Sequence, residues 1–138
     1  MKRHQQGVAL LEALIAVLLL AVGLLGAIGL QARAYSALSD AGMRAEATIA
    51  ADSLLGTMIV DQANLNLYKL TAGGAPDARL LPWLTQTKAA IPGVNVVITV
   101  TPVAASTNTE VDIAISWTRK NGGPTNTHKV TSYIAPST

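Results

Sequence analysis

The chain has 138 residues, half of them apolar, with ten basic and eight acidic side chains, two histidines and no cysteine. This length accommodates one small domain with an appendage, and the lack of cysteine excludes disulfides, thiol chemistry and cysteine-ligated metals. Lys2 and Arg3 supply the whole positive excess, and no basic run interleaved with aromatic residues follows them. We therefore expect no direct nucleic-acid binding.

The first predicted element is a helix that begins in a continuous apolar run, residues 8–30, with a single charge at Glu12. At about 1.5 Å per residue this run reaches roughly 35 Å, enough to cross a hydrocarbon core of about 30 Å. The basic head, Lys2-Arg3, favours a cytoplasmic N-terminus because positive residues tend to stay on that side. The run is therefore predicted to span a membrane.

Three interpretations of this run differ in how they treat Glu12. The A-x-A sequence Ala32-Arg33-Ala34 favours a cleaved signal peptide, but the run exceeds the usual apolar length of about 7–15 residues. The second interpretation is an uncleaved anchor, which gives Glu12 no role. A charged side chain in a spanning helix costs about 2.5–3.5 kcal/mol at the bilayer centre and less near a helix end. In the third interpretation, cleavage after Gly7 gives Val8 an α-amino group. That ammonium pairs with Glu12, within one helix or between neighbouring helices.

The same residues carry a family resemblance. A basic leader ending in Gly7, an apolar Val8 and Glu12 as the fifth residue after the cut resemble the class III signal of type IV pilins and pseudopilins. The stretches VGLLGAIGLQ (22–31) and WLTQTKAAIPG (83–93), and a later strand ending in ISW, are similar to minor pilins of the PilV type, the type IV pilus modification proteins. One departure is Val8, where the family most often has Phe.

The resemblance implies a pathway. A prepilin peptidase would cut between Gly7 and Val8 and N-methylate Val8, and Glu12 would pair with the N-terminal amine of an adjacent subunit. The helix would anchor the protein in the inner membrane, single-pass, with a cytoplasmic N-terminus and a periplasmic C-terminal domain. After assembly the same helix would form part of the filament core.

The resemblance also implies a function and partners. The chain would act as a minor pilin that primes type IV pilus assembly and sits in a tip complex with other minor pilins. The major pilin and the inner-membrane assembly platform would be further partners. Two alternatives stay open: an I-type pseudopilin of a type II secretion system, which uses the same N-terminal chemistry, and a signal-anchored periplasmic binding domain with no filament role.

Glycine recurs every third residue within the apolar run, at Gly23, Gly26 and Gly29. Each weakens a helix interior by roughly 1 kcal/mol relative to alanine. Small residues allow close packing of neighbouring helices in membranes, and a weak helix can also unwind when a subunit leaves lipid for a filament. The two interpretations are compatible.

The helical pattern continues beyond residue 30 and predicts one helix from Val8 to about Leu67. One face of its second half carries an apolar stripe: Ala47, Ala51, Leu54, Leu55, Met58 and Ile59. Such an amphipathic half should pack on a sheet. The predicted organisation is a leader at 1–7, a transmembrane and filament-core helix at 8–30, an amphipathic helix half at 31–70, and a globular α+β region at 71–138.

The globular region is predicted to contain one short helix and three strands. After the Gly73–Asp77 loop, a helix from about Pro82 to Ala90 docks through Trp83 and Leu84, and ends before Pro92-Gly93. Alternating apolar residues then predict strands at 94–100 and 110–117, with a weaker one at 127–134. The links are residues 105–109 and the turn 121–124. Short links favour an antiparallel meander, so the predicted fold class is α+β and pilin-like.

The sequence carries no recognisable catalytic constellation. His4 and His128 are isolated, and the acidic residues of the long helix lack the spacing of an oxygen-ligand metal loop. Ser53 does not lie in a Gly-x-Ser-x-Gly turn, and no glycine-rich phosphate loop follows a strand. Both tryptophans, Trp83 and Trp117, lie in apolar-periodic contexts typical of a core. We expect no enzyme activity, no cofactor and no metal site.

If the chain is cut between Gly7 and Val8, Gly7→Leu should block processing, because the peptidase recognises the residue before the cut. The variant should accumulate in the membrane as the full-length precursor, measured by intact mass. Mature protein at the wild-type level would contradict the assignment.

Overall fold

The computed structural model of the chain describes residues 6–104, 106–118 and 123–136. The leader residues 1–5, Ala105 in the predicted link, and Asn121-Gly122 in the predicted turn lie outside these described residues. The chain divides into two units, Met1–Ser39 and Asp40–Thr138. Each unit is described by itself.

The elements follow the predicted order. Helix α1 (Gln6–Val60) is followed by a 3-10 helix (Gln62–Tyr68) and helix α2 (Leu81–Ala90), and then by strands β1 (Asn95–Pro102), β2 (Thr109–Thr118) and β3 (Thr125–Ile134). The strands form one three-stranded sheet in the order β1-β2-β3, antiparallel throughout. The predicted α+β class and the β-meander are confirmed.

The sheet buries one face because its apolar residues alternate. Ile98 on β1 pairs with Ile113 on β2, which pairs with Val130 on β3, and the register is unbroken along both ladders. Successive side chains of a strand point to opposite faces. The buried set is therefore every second residue: Val96, Ile98 and Val100 on β1, and Val111, Ile113, Ile115 and Trp117 on β2.

The part of α1 inside the second unit covers this face. Ala47, Ala51, Leu54 and Met58 are at most 1% exposed and belong to the same apolar cluster as the sheet residues. Ile59 is the exception within the predicted stripe, because it lies about 100° around the helix from Met58 and stays 50% exposed.

The predicted end of the long helix was wrong. α1 ends at Val60 and not near Leu67, because the backbone leaves helical geometry at Asp61 (φ −106°, ψ 46°). The Asn64 N–H donates to the Asp61 carbonyl at 3.0 Å, a 3-10 bond over three residues in place of the α-helical bond over four. The tighter turn brings Leu65 and Tyr68 into the core.

Helix α2 docks on the core through Leu84 and Trp83, as predicted. It carries proline in its first turn and buries Leu84 and Thr87, while the half-buried Trp83 donates its indole N–H to the Ala50 carbonyl at 2.8 Å. Trp117, the other tryptophan, is 1% exposed in the core. Gly93, at φ +73°, makes the turn from α2 into β1, a conformation that costs glycine little.

The packing of α1 on the sheet predicts the effect of a cavity at Leu54. Leu54→Ala should lower the free energy of unfolding by about 2–5 kcal/mol, because a buried leucine leaves a void that the sheet fills only partly. Urea denaturation of the full chain in detergent measures it. Ile49→Ala is the control on the same helix; Ile49 is 62% exposed, so the change should stay within about 0.5 kcal/mol. Equal losses in both variants would contradict the packing.

Candidate functional site

The first unit is helical wherever it is described, from Gln6 to Ser39, and its apolar side chains lie on the surface. The helix contains an 18-residue window with a mean hydropathy of 2.8, of which none is buried within the chain. Val8, the residue after the predicted cut, is 67% exposed. Length and composition therefore suit a membrane span, and nothing in the described part of this chain covers the segment.

Val8 and Glu12 lie one helical turn apart and share one face with Leu11 and Ile15. Four residues of α-helix advance about 6 Å, so a Val8 ammonium created by cleavage would lie within reach of this carboxylate or of one on a parallel neighbour. The Glu12 side chain is exposed. In the described part of the chain, no hydrogen bond or ion pair to its carboxylate is found. The pairing of a Val8 ammonium with the Glu12 carboxylate stays a prediction.

The three glycines of the apolar run lie in regular helix. A methyl group built at Gly23, Gly26 or Gly29 would meet nothing within 4 Å, so packing inside this chain does not require glycine there. Their predicted roles, a weak helix and close approach of a neighbouring helix, concern a partner or a transition and stay predictions.

A polar cluster in the second unit fixes the end of α1. The Asp61 carboxylate accepts hydrogen bonds from Asn64 Nδ2 at 2.6 Å, from the Tyr68 hydroxyl at 2.9 Å and from Arg79 Nη1 at 2.8 Å. The contact from Arg79 is at the same time an ion pair. The cluster joins the end of the helix, the 3-10 helix and the loop before α2.

These contacts shift the pKa values of two residues in the cluster, Asp61 and Tyr68. The hydrogen bond from Asn64, followed by that from Tyr68, lowers the pKa of the Asp61 carboxyl, since both favour its charged form. Burial is the main reason why the pKa of the Tyr68 hydroxyl is raised, and its bond to Asp61 adds to the effect. The ionised carboxylate is therefore the form that this part of the fold requires.

Sequence reasoning considered Asp61 only among the acidic residues of the long helix, as a metal ligand, and missed this cluster. One local signal was available, an Asp at the end of an apolar helical pattern, where its side chain competes with the helical backbone. No local signal pointed to Arg79, which lies 18 residues further along the chain.

Comparison with known proteins identifies the N-terminal segment. Residues 2–28 match the family described as "Prokaryotic N-terminal methylation motif". The chain therefore carries a class III prepilin signal, the processing signal shared by type IV pilins and pseudopilins, and the matched range includes Gly7, Val8 and Glu12. Comparison with curated proteins gave no significant match, and comparison with solved structures gave none either.

The lowered pKa of Asp61 predicts an acid-dependent contribution to stability. Because its folded pKa lies below the ordinary value of 3.8, the contribution is complete above that value and is lost as the pH falls through the folded pKa. Asp61→Asn should lower the Tm at pH 7, and the difference from wild type should shrink below pH 3.8.

Asp52→Asn is the control, because Asp52 is an exposed carboxylate within α1, before the helix end that Asp61 follows. Its Tm should follow the wild-type curve at every pH. A difference between Asp61→Asn and wild type that is independent of pH would contradict the role of the ionised carboxylate.

Proposed function

We propose that this protein is a minor pilin of the PilV type that helps to prime type IV pilus assembly and sits in a tip complex with other minor pilins. The observation that carries the proposal is the juxtaposition of Val8 and Glu12, one turn apart on the exposed apolar part of α1 and within a matched prepilin signal. The role is assembly and not catalysis.

The physical argument starts from the carboxylate. An isolated charge in hydrocarbon is far more costly than one that is paired. Processing after Gly7 would create an ammonium on Val8 at the same helix end, and the two charges would satisfy each other. Pairing across two subunits would also fix their axial register, because a shift by one helical turn would leave both charges unpaired.

The proposed life cycle uses the apolar helix twice. Before assembly, the residue 8–30 segment lies in the inner membrane, with the N-terminus cytoplasmic and the second unit periplasmic. After assembly, neighbouring helices replace lipid around the same exposed side chains. The small α+β unit, whose core includes Leu54, Ile113 and Trp117, stays folded in both settings because its apolar residues are buried within the chain.

Replacement of the carboxylate tests the proposal. Glu12→Ala should still insert and still be cut, since the cleavage residues are intact, but its amount in sheared pili should fall by more than about tenfold. An unpaired buried ammonium costs several kcal/mol, and each 1.4 kcal/mol is about tenfold in binding. The measurement is an immunoblot of the membrane and sheared-pilus fractions, with co-purification of the other minor pilins.

Glu46→Ala is the matched control, because Glu46 is the other glutamate of α1 and is exposed in the second unit. It should reach sheared pili at the wild-type level. Normal piliation and normal co-purification of Glu12→Ala would contradict the proposal. Wild-type protein that assembles with secretion-system pseudopilins, and not with pilins, would support the I-type pseudopilin instead.

A further inference from the structure

Two polar side chains follow directly on the apolar run of the first unit. Arg33 and Tyr35 lie just after Leu30, the last residue of the run. Both are exposed, and the exposed fraction of Tyr35 is 73%. In the part of the chain that the structure describes, neither the Arg33 guanidinium nor the Tyr35 hydroxyl has a hydrogen bond or an ion pair. Both groups can therefore bind something outside the chain.

The spacing of the charges in this unit matches the thickness of a membrane. Among residues 6–39, the described part of the first unit, the charged side chains are Glu12 and Arg33. Residues 13–32 between them form about 30 Å of helix, which equals a hydrocarbon core of about 30 Å. A membrane with Glu12 at one boundary of the core therefore has Arg33 at the other. Tyr35, about 3 Å further along the axis, then lies within the headgroup layer, which is about 5–7 Å deep on each side.

Arg33 and Tyr35 lie on opposite sides of the helix, because two residues turn it by about 200°. Tyr35 shares its side with Gln31, Ala34 and Leu38. A single protein partner docks on one side of a helix, whereas a lipid headgroup layer surrounds a spanning helix on every side. The placement of the two side chains therefore favours lipid as their binding partner.

The chemistry of the two side chains also suits a phospholipid headgroup layer. A guanidinium binds phosphate through two parallel hydrogen bonds. A tyrosine ring is apolar with a polar hydroxyl at its tip, and tyrosine is enriched where hydrocarbon meets water. A long cationic side chain near the end of a spanning helix extends to the same layer.

We propose that Arg33 and Tyr35, the interfacial pair, bind the phospholipid headgroup layer on the far side of the membrane from the N-terminus and fix the depth of the helix. Arg33 binds headgroup phosphates, and the Tyr35 ring lies next to the hydrocarbon. Residues 13–32, and not 8–30, then occupy the hydrocarbon core. Glu12 lies at the opposite boundary, where its carboxylate contacts water until neighbouring helices replace lipid. This inference rests on the membrane-anchored stage of the proposed function.

The absence of cysteine from the chain makes this depth measurable with single thiols. Ala27→Cys lies inside the proposed core segment, and Ala34→Cys lies between the two residues of the interfacial pair. Ala89→Cys, at an exposed position of α2, serves as the accessible reference. The full chain is placed in vesicles of phosphatidylethanolamine and phosphatidylglycerol with no other protein, and a membrane-impermeant maleimide is added outside.

Each labelling rate is divided by the rate of the same thiol after denaturation in detergent, which removes differences in intrinsic reactivity. Ala34→Cys should label at nearly the rate of Ala89→Cys. Ala27→Cys should label at least about tenfold more slowly, because the reactive thiolate does not form in hydrocarbon.

Replacement of the interfacial pair tests its role. In the Ala34→Cys chain, Arg33→Ala with Tyr35→Ala should lower the labelling rate at least about tenfold, because the segment loses the charge that keeps it out of hydrocarbon. The Glu12 carboxylate then moves further into water and draws this segment inward. Arg33→Lys with Tyr35→Trp is the matched control and should keep the wild-type rate, since lysine also binds phosphate and tryptophan also favours the interface.

Three outcomes would overturn the inference. The first is an equal labelling rate in wild type and in the alanine pair. The second is an equal loss in the alanine pair and in the conservative pair, which would indicate recognition of a specific shape and not headgroup chemistry. The third is an effect in membranes of the native host but not in the pure lipid vesicles, which would assign the two residues to a protein neighbour.

The same measurement separates this inference from the proposed function. Wild-type protein that shows the expected depth but is absent from pili and from minor-pilin complexes would contradict the pilus role and leave the interfacial pair in place. Labelling of Ala27→Cys at the reference rate would contradict the membrane-anchored stage, and the inference would fail with it.

Discussion

The constraint on which the rest of the molecule depends is an apolar helix that its own chain does not cover. The 18-residue window has a mean hydropathy of 2.8 and no buried residue, so in water it would expose a large apolar surface. Such a segment needs lipid or neighbouring helices throughout the life of the protein. A carboxylate inside it then needs a partner, and the proposed cleavage between Gly7 and Val8 would supply one for Glu12.

The same helix changes its chemistry along its length, and this change separates the two units. In the first unit the helix is apolar on all sides. In the second it keeps one apolar face, formed by Ala47, Ala51, Leu54 and Met58, which the sheet covers. The helix then ends before Asp61. The Asp61 carboxylate accepts hydrogen bonds from Asn64, Tyr68 and Arg79, and a continuous helix would not bring these three residues together. The core of the second unit is therefore formed by residues of that unit.

Much of the fold could be predicted from the sequence because it follows local periodicity. The three strands, the short helix with Pro82 and the buried stripe of α1 are each encoded by residues close in the chain. The helix end was missed because apolar Leu65 and Leu67 follow Asp61, so the apolar pattern does not stop where α1 stops. The contact from Arg79 to Asp61 spans 18 residues and has no local signal. The candidate site was predictable as a linear signal, whereas the proposed partner of Glu12 is an amine that would exist only after processing.

The most direct test of the account is the intact mass and N-terminal sequence of the protein recovered from its native membrane. The account predicts a chain that starts at N-methylated Val8, so that the first seven of the 138 residues are missing. A start at Tyr35 would instead indicate a conventional signal peptide and a soluble exported domain. An uncut Met1 form, in a strain with active prepilin peptidase, would remove the ammonium that Glu12 requires and would contradict the account.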